Sequence, residues 1–296
     1  MRRTRTTGVI ALAATAALAL AACSSDDGGG DTDADAGSET TDTMEEEEGA
    51  GGEGLTIGIK FDQPGLGFMD GDTPSGFDVD VAKYVASELG YSEDQIEWVE
   101  APSAQRETLL STGQVDMIFA TYSITDERRE QVSYAGPYFV AGQDLLVAAD
   151  NTDITGPDAL DGKNLCSVTG STSAQRIKDE YSEGVNLLEQ PGYAECVTAL
   201  TSGQVDAVTT DDIILAGLGA QPANAGQVKV VGNTFSEERY GVGIPQESEQ
   251  CEDINAALTQ MIEDGSWQEY IDAATEGTGY TPNSDLNPPE FDPCDM

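Results

Sequence analysis

The stretch LLSTGQVDMIFA (Leu109–Ala120) returns ninety residues later as ALTSGQVDAVTT (Ala199–Thr210). In both copies an apolar helical end runs into a glycine, Gly113 or Gly203, and a strand-like run follows Asp116 or Asp206. A glycine just past the last apolar turn stops a helix, and a short apolar or β-branched run is consistent with a buried strand. Two copies of one helix–strand unit predict two similar α/β halves, because a solenoid needs three or more repeats.

Outward from the repeat, the same alternation continues. Leu55-Thr56-Ile57-Gly58-Ile59 reads as a strand, and Gly76 to Val85 as a helix with Gly90 as its stop. Ser103 to about Thr112 reads as a helix, followed by a strand over Val115–Ala120. Thr169 to Ser173 is a small-residue loop that opens a helix over Ala174–Glu180.

Composition narrows what such a chain can do. It has 296 residues, 39% of them hydrophobic, enough for a packed core in one large or two medium domains. Its net charge is −42, from 13 Lys and Arg against 55 Asp and Glu. A phosphate backbone would be repelled by that surface, so nucleic acid is excluded as a partner. There is no histidine. That removes Ser–His and Cys–His nucleophiles and every zinc site with an imidazole ligand. We expect no metal and no cofactor.

Residues 1–23 read as a signal peptide, with Arg2, Arg3 and Arg5 before an apolar run from Gly8 to Leu20. Leu20-Ala21-Ala22-Cys23 resembles the bacterial lipobox, in which the cysteine receives a diacylglycerol and becomes the new N-terminus. An ordinary signal peptide with an incidental cysteine is the alternative. Residues 24–53 are acidic and nearly free of apolar side chains, so they are expected to form a disordered tether spanning about 30 Å. No later segment is long and apolar enough to cross a bilayer. The expected location is the outer face of the cell membrane, held there by the lipid alone. Export to an oxidising compartment leaves Cys166, Cys196, Cys251 and Cys294 for disulfides, with three pairings open.

Five motifs then carry a family resemblance: GFDVDVAKYVASELG (Gly76–Gly90), TGQVDMIFATYSITDERR (Thr112–Arg129), LDGKNLCSVTGSTSAQ (Leu160–Gln175), SGQVDAVTTD (Ser202–Asp211) and YGVGI (Tyr240–Ile244). Residues 55 to about 275 resemble the family 3 solute-binding proteins of polar amino-acid ABC importers. DQPGLG (Asp62–Gly67), PSAQRETL (Pro102–Leu109) and CSVTGST (Cys166–Thr172) further resemble the actinobacterial glutamate-binding lipoproteins of that family. The resemblance implies a type II periplasmic-binding-protein fold, two α/β lobes joined by two crossover strands. Lobe I would be 54–142 and 237–296, and lobe II 143–236, with ligand in the cleft. It also implies a monomer that hands its ligand to a permease and an ATPase. The acidic tail after Gly277 lies outside the family pattern. With the lobes so assigned, a bond between them would oppose hinge opening. The expected pairs are therefore Cys166–Cys196 and Cys251–Cys294.

The candidate site follows from the chemistry of a free amino acid, which presents a carboxylate, an ammonium and a side chain. Only ten Lys and Arg remain once Arg2, Arg3 and Arg5 are removed with the signal. Arg128 matches the family's carboxylate-gripping arginine, a planar fork suited to two charge-assisted bonds; a surface pairing with Glu127 or Glu130 is the alternative and suits Arg129 better. Thr121 and Ser123, in the loop after the first repeat's strand, can supply hydroxyl and backbone groups. Gly170, Ser171 and Thr172 sit at a helix N-terminus, where free amides attract anions. Their spacing alone fits a simple helix cap equally well, and the resemblance adds Thr172. Asp211 matches the family's ammonium-binding aspartate, with Asp212 as its adjacent rival. Ser103 and Arg106 lie one turn apart, and Arg106 matches the arginine that acidic-amino-acid binders aim at a side-chain carboxylate. Lys60, where glutamine binders carry an aspartate, favours a second carboxylate; offsetting acidic neighbours is the bland reading for both cations. These residues point to L-glutamate, then aspartate. The alternatives are a glutamine or other polar amino-acid binder, and a dehydratase or cell-wall lyase of the same fold using Glu100, Glu107 or Asp211.

Overall fold

In the computed structural model, residues 54–181 and 184–294 are described. The expected signal peptide, the lipobox reading at Cys23 and the expected tether fall on residues outside those described. From Leu55 the chain forms β1 (Leu55–Ile59), β2 (Phe68–Asp70), β3 (Thr73–Ser75), α1 (Phe77–Glu88), β4 (Ile96–Glu100), α2 (Arg106–Ser111), β5 (Met117–Ile118), α3 (Asp126–Arg129) and β6 (Ser133–Ala141). It continues through β7 (Gln143–Ala148), β8 (Asn164–Val168), α4 (Thr172–Glu180), β9 (Asn186–Gln190), α5 (Tyr193–Thr201), β10 (Ala207–Asp211) and α6 (Asp212–Ala220). The last elements are β11 (Val228–Val230), β12 (Glu238–Ile244), α7 (Cys251–Glu263) and α8 (Ser266–Thr275). Among the described residues no helix is long and apolar enough to cross a membrane.

Ten of the strands sort into two five-stranded sheets, ordered β4-β1-β5-β12-β6 and β11-β7-β10-β8-β9, while β2 and β3 pair as a small antiparallel hairpin. The sequence repeat occupies the same place in each. Its two strands, β5 and β10, are the central strands, with parallel neighbours on one side and an antiparallel neighbour on the other. The repeated aspartate has a mechanical role. Asp116 Oδ2 accepts from Thr56 N (2.8 Å), and Asp206 Oδ2 accepts from Asn164 N (2.8 Å), so each pins the start of the adjacent parallel strand. Gly113 and Gly203 take left-handed φ of 67° and 73°, which only glycine adopts without strain. The first strand is shorter than the Val115–Ala120 run expected, because the chain leaves the sheet and turns at Thr121, where φ is 46°.

The chain passes between the sheets at Gly142 and again between β11 and β12. The two passages touch: a Cβ on Gly142 would lie 2.8 Å from Thr234 Cβ. Asp144, buried at the start of β7, holds the second passage by accepting from Gly232 N (2.8 Å) and Asn233 N (3.1 Å). The core beside the passages is aromatic, with Phe77, Phe119, Tyr138, Phe139, Tyr240 and Trp267 in mutual contact. Trp267 Nε1 donates to Tyr138 O at 2.8 Å, satisfying its one buried donor.

Both disulfides pair as expected, Cys166 with Cys196 and Cys251 with Cys294, each within one half. The second fastens the tail. Along it, Asn287 bonds both backbone groups of Val140 (2.9 and 2.8 Å), and Asp292 receives Arg129 Nη2 and Arg239 Nη2 at 2.7 Å each. Arg129 is thus engaged by the tail. The Cys166–Cys196 bond closes a span of 30 residues. Replacing both cysteines by alanine is expected to cost about 4 kcal/mol in urea unfolding; an unchanged midpoint would show that the bond does not constrain the unfolded chain.

Candidate functional site

Arg106 opens α2 and is 2% exposed; its Nε donates to Ala101 O at 3.2 Å. Its guanidinium carbon lies 5.1 Å from the centre of the Tyr122 ring, and that of Arg128 lies 4.9 Å from the same ring. Cation–π attraction partly compensates two cations for their lost water. Tyr122 OH donates to Glu107 Oε1 (2.8 Å), and the same oxygen lies 3.3 Å from Arg128 Nε. Arg128 is therefore charge-paired, whereas Arg106 has no ion-pair partner among the described residues. Burial, then the charge of Arg128, pushes the Arg106 pKa down.

Arg128 sits in α3, a single turn capped by Thr125 Oγ1, which accepts from Arg128 N at 3.2 Å. Its Nη1 donates to Ser123 O (2.8 Å) and its Nη2 to Gly170 O (3.1 Å), the latter in the other half. Thr121 is the one non-glycine among the described residues with a left-handed φ. Its N donates to Asp78 Oδ2 at 3.0 Å, and its Oγ1 lies 3.2 Å from the Gln63 amide nitrogen. Asp78 also accepts from Tyr138 OH at 2.7 Å. A wholly buried carboxylate thus holds the strained turn. Burial raises its pKa from 3.8 to about 6, while Tyr138, Arg106 and the Thr121 amide restrain the rise.

The facing wall comes from the second half. Ser171 caps α4, accepting from Ala174 N at 3.0 Å. Thr172 Oγ1 lies 3.3 Å from Ser123 Oγ across the seam. Gly170 has φ 79°, and a Cβ there would sit 2.6 Å from Ala104 Cα. No larger residue would let the walls approach this closely. Asp211 is buried, accepting from Tyr240 OH (2.6 Å) with Ser173 Oγ at 3.5 Å. Burial, then the charge of Glu238, raises its pKa well above the usual carboxylate range. No cation pairs with it among the described residues.

These walls close on a narrow pocket with a free volume of only about 10 Å³ in this arrangement. Of the residues singled out in the sequence, Ser103, Arg106, Thr121, Arg128, Ser171, Thr172 and Asp211 line it. Ser123 and Gly170 flank it, each holding an Arg128 nitrogen through its carbonyl. Lys60 does not line it. Although 1% exposed, it lies 2.9 Å from Asp62 Oδ1, so its charge is directed at Asp62. Asp212, the rival of Asp211, instead bonds the passage at Gly142, accepting from its N at 3.3 Å. Ser173, Tyr193, Thr210 and Ile214 also line the pocket and were not anticipated. Thr210 and Ser173 adjoin predicted residues, so neighbourhood was a usable signal for them. For Asp78 the signal was a carboxylate among the apolar positions of α1. Tyr193 carried none. No group of His, Cys, Asp and Glu among the described residues is arranged to hold a metal.

Two mixed sheets joined by two passages, with a charged pocket at the seam, constitute the type II periplasmic binding-protein fold. Residues 55–274 match the Bacterial extracellular solute-binding proteins, family 3, and the chain belongs to that family. It is 47% identical over 250 residues to a glutamate-binding protein GluB of Corynebacterium efficiens, covering 77% of this chain and 83% of that one. It is 40% identical over 196 residues to a glutamine-binding protein of Geobacillus stearothermophilus, covering 66% and 73%. Among solved structures, an ancestral arginine-binding protein bound to arginine matches with a TM-score of 0.69 at 36% identity, over 75% of this chain and 98% of that one.

Asp78 gives a test of the buried turn. Its folded pKa lies above its unfolded value, so its contribution to folding is full below about pH 4 and is lost as pH rises through about 6. A rise from 3.8 to about 6 corresponds to about 3 kcal/mol. Urea titrations should show Asp78→Asn gaining about that much relative to the native chain between pH 4 and pH 7. A difference that stays flat with pH would place the raised pKa elsewhere.

Proposed function

We propose that this protein captures L-glutamate, and L-aspartate less tightly, between its halves and delivers it to the permease and ATPase of an ABC importer. One observation carries the reading. Arg106 is a buried cation and Asp211 a buried carboxyl, one from each half, lining a shared pocket, and neither has an ion-pair partner among the described residues. Isolated buried charges cost several kcal/mol each, which a ligand bearing the complementary charges offsets. In this reading Asp211 takes the ligand ammonium and Arg128 the α-carboxylate. Ser103 and Arg106 take the side-chain carboxylate, while Thr121, Ser123 and the Gly170–Thr172 loop supply hydroxyl and backbone contacts. The identity to a glutamate-binding relative supports the acidic ligand.

Lobe I is assigned residues 54–142 and 237–296, and lobe II residues 143–236. Each would contribute part of the site, so ligand stabilises the closed arrangement by its differential affinity for it. The protein acts as a monomer and is tethered to the outer face of the cell membrane through a lipid on Cys23, on the strength of its lipobox. It has no catalytic role in this reading. Of the candidate acids, Glu107 is engaged by Tyr122 and Arg128 and Asp211 is assigned to the ligand ammonium, which supports binding without turnover.

Calorimetry should find L-glutamate bound more tightly than L-glutamine. Arg128→Ala should weaken L-glutamate on the order of a hundredfold or more, as expected when one partner of a buried pair is removed. Arg106→Met should abolish the preference for acid over amide. Tighter binding of L-glutamine by the native chain would overturn the side-chain assignment and leave the family intact.

Proton release provides a separate check. Unbound Asp211 keeps its proton to higher pH than an ordinary carboxylate, and a bound ammonium favours the ionised form. Binding should therefore release a proton, and affinity should rise with pH through the raised Asp211 pKa. Binding enthalpies that are identical in buffers of different ionisation heat would contradict the pairing of Asp211 with an ammonium.

A further inference from the structure

Lys60 was expected to meet the ligand, yet it lies outside the pocket wall. Its Nζ is 2.9 Å from Asp62 Oδ1, and the Lys60 side chain is almost wholly buried. The other Asp62 oxygen crosses the seam: Tyr193 N donates to Asp62 Oδ2 at 3.1 Å. Tyr193 is the first residue of α5, a nine-residue helix in the second half whose N-cap, Gly192, has no side chain to cap it. A Cβ on Gly192 would lie 2.6 Å from Asp62 Oδ2. The missing side chain is what lets a carboxylate from the other half reach the helix end. A negative charge at a helix N-terminus is favourable, because the unsatisfied N–H groups there carry partial positive charge.

The same helix end bears on the pocket. Tyr193 lines it, is 2% exposed, and its hydroxyl accepts from Thr210 Oγ1 at 2.7 Å. Asp62 therefore grips the backbone of a residue whose side chain forms the ligand wall. Lys60 stands behind it, at the other carboxylate oxygen, and keeps it aimed. Burial, then the nearby Arg106, pushes the Lys60 pKa down, while Asp62 and Glu100 pull it up. The ammonium thus depends chiefly on Asp62. An ammonium so engaged is poorly placed to discriminate a second ligand carboxylate.

We propose that Lys60 and Asp62 form a closure latch, in which Asp62 caps α5 across the seam and Lys60 positions Asp62. Both are positioning residues, and neither selects the ligand. The latch rests on the binding reading only for the choice of L-glutamate as probe. When the halves separate, Asp62 loses the helix end and α5 loses its cap. Closure is stabilised by that contact, and release of ligand requires breaking it.

The test uses the full chain and separates latch from ligand contact. Asp62→Ala and the shape-preserving Asp62→Asn should weaken L-glutamate on the order of tenfold, through faster dissociation, with the ratio of L-glutamate to L-glutamine affinity unchanged. Lys60→Met should behave likewise. If Lys60 instead touches the ligand, Lys60→Met will collapse that ratio while Asp62→Ala leaves the affinity intact, and the latch is refuted. Amide hydrogen exchange gives a ligand-independent arm: protection at Tyr193 N should fall in Asp62→Ala relative to the native chain. Equal protection in both would overturn the proposal whatever the protein binds, and failure of the native chain to bind L-glutamate would count against the ligand reading alone.

Discussion

Arg106 and Arg128 lie buried against one aromatic ring, and only one of them has a carboxylate of the protein beside it. Two guanidinium groups repel each other more strongly in a dry interior than in water. Glu107 and the Tyr122 ring offset part of this, and Asp211 stands on the facing wall without a cation of its own. The charge pattern is thus incomplete on both sides of the seam, and in the proposed reading a small zwitterion with an extra negative charge completes it. In a chain with 13 basic and 55 acidic residues, this concentration of positive charge inside an acidic shell is a local inversion.

That inversion survives because the surrounding backbone is held rigidly. Asp78 holds the left-handed Thr121, Ser123 and Gly170 hold Arg128 through their carbonyls, and Ser171 caps the helix that presents Thr172. Helix α4 also reaches the passages between the sheets. Arg176 donates to Gln143 Oε1 (3.1 Å) and pairs with Glu238 (3.0 Å), so the helix forming one pocket wall is tied to both passages. Asp144 and the Gly142–Thr234 approach keep those passages side by side. Pocket and passages are therefore mechanically continuous, which in the proposed reading is what lets a ligand shift one arrangement over another.

The tail after α8 shows how cations outside the pocket are used. Arg129 and Arg239 both converge on Asp292, and the Cys251–Cys294 bond fastens the segment beyond it. Sequence pointed to Arg129 as an ordinary surface pair with a neighbouring glutamate. Asp292, to which it donates, is 163 positions away, and no local pattern encodes a contact at that separation.

The repeat around Gly113 and Gly203, the two-half architecture, the disulfide pairing and most of the pocket were legible in the sequence. Each depends on a local signal: a helix stop, a strand after aspartate, an arginine one turn from a serine, or a motif in family order. Lys60 shows where that reasoning ends. Local chemistry marked it as a cation near a carboxylate ligand, but whether it meets ligand or Asp62 depends on the path of the loop after β1. Tyr193 and Asp78 belong to the same class, since their importance arises from which backbone amide faces which carboxylate across the seam or under the sheet. Sequence sets which residue types can bond and at what local spacing; only the packing of the two halves decides which buried charges find a partner inside the protein and which are left for a ligand.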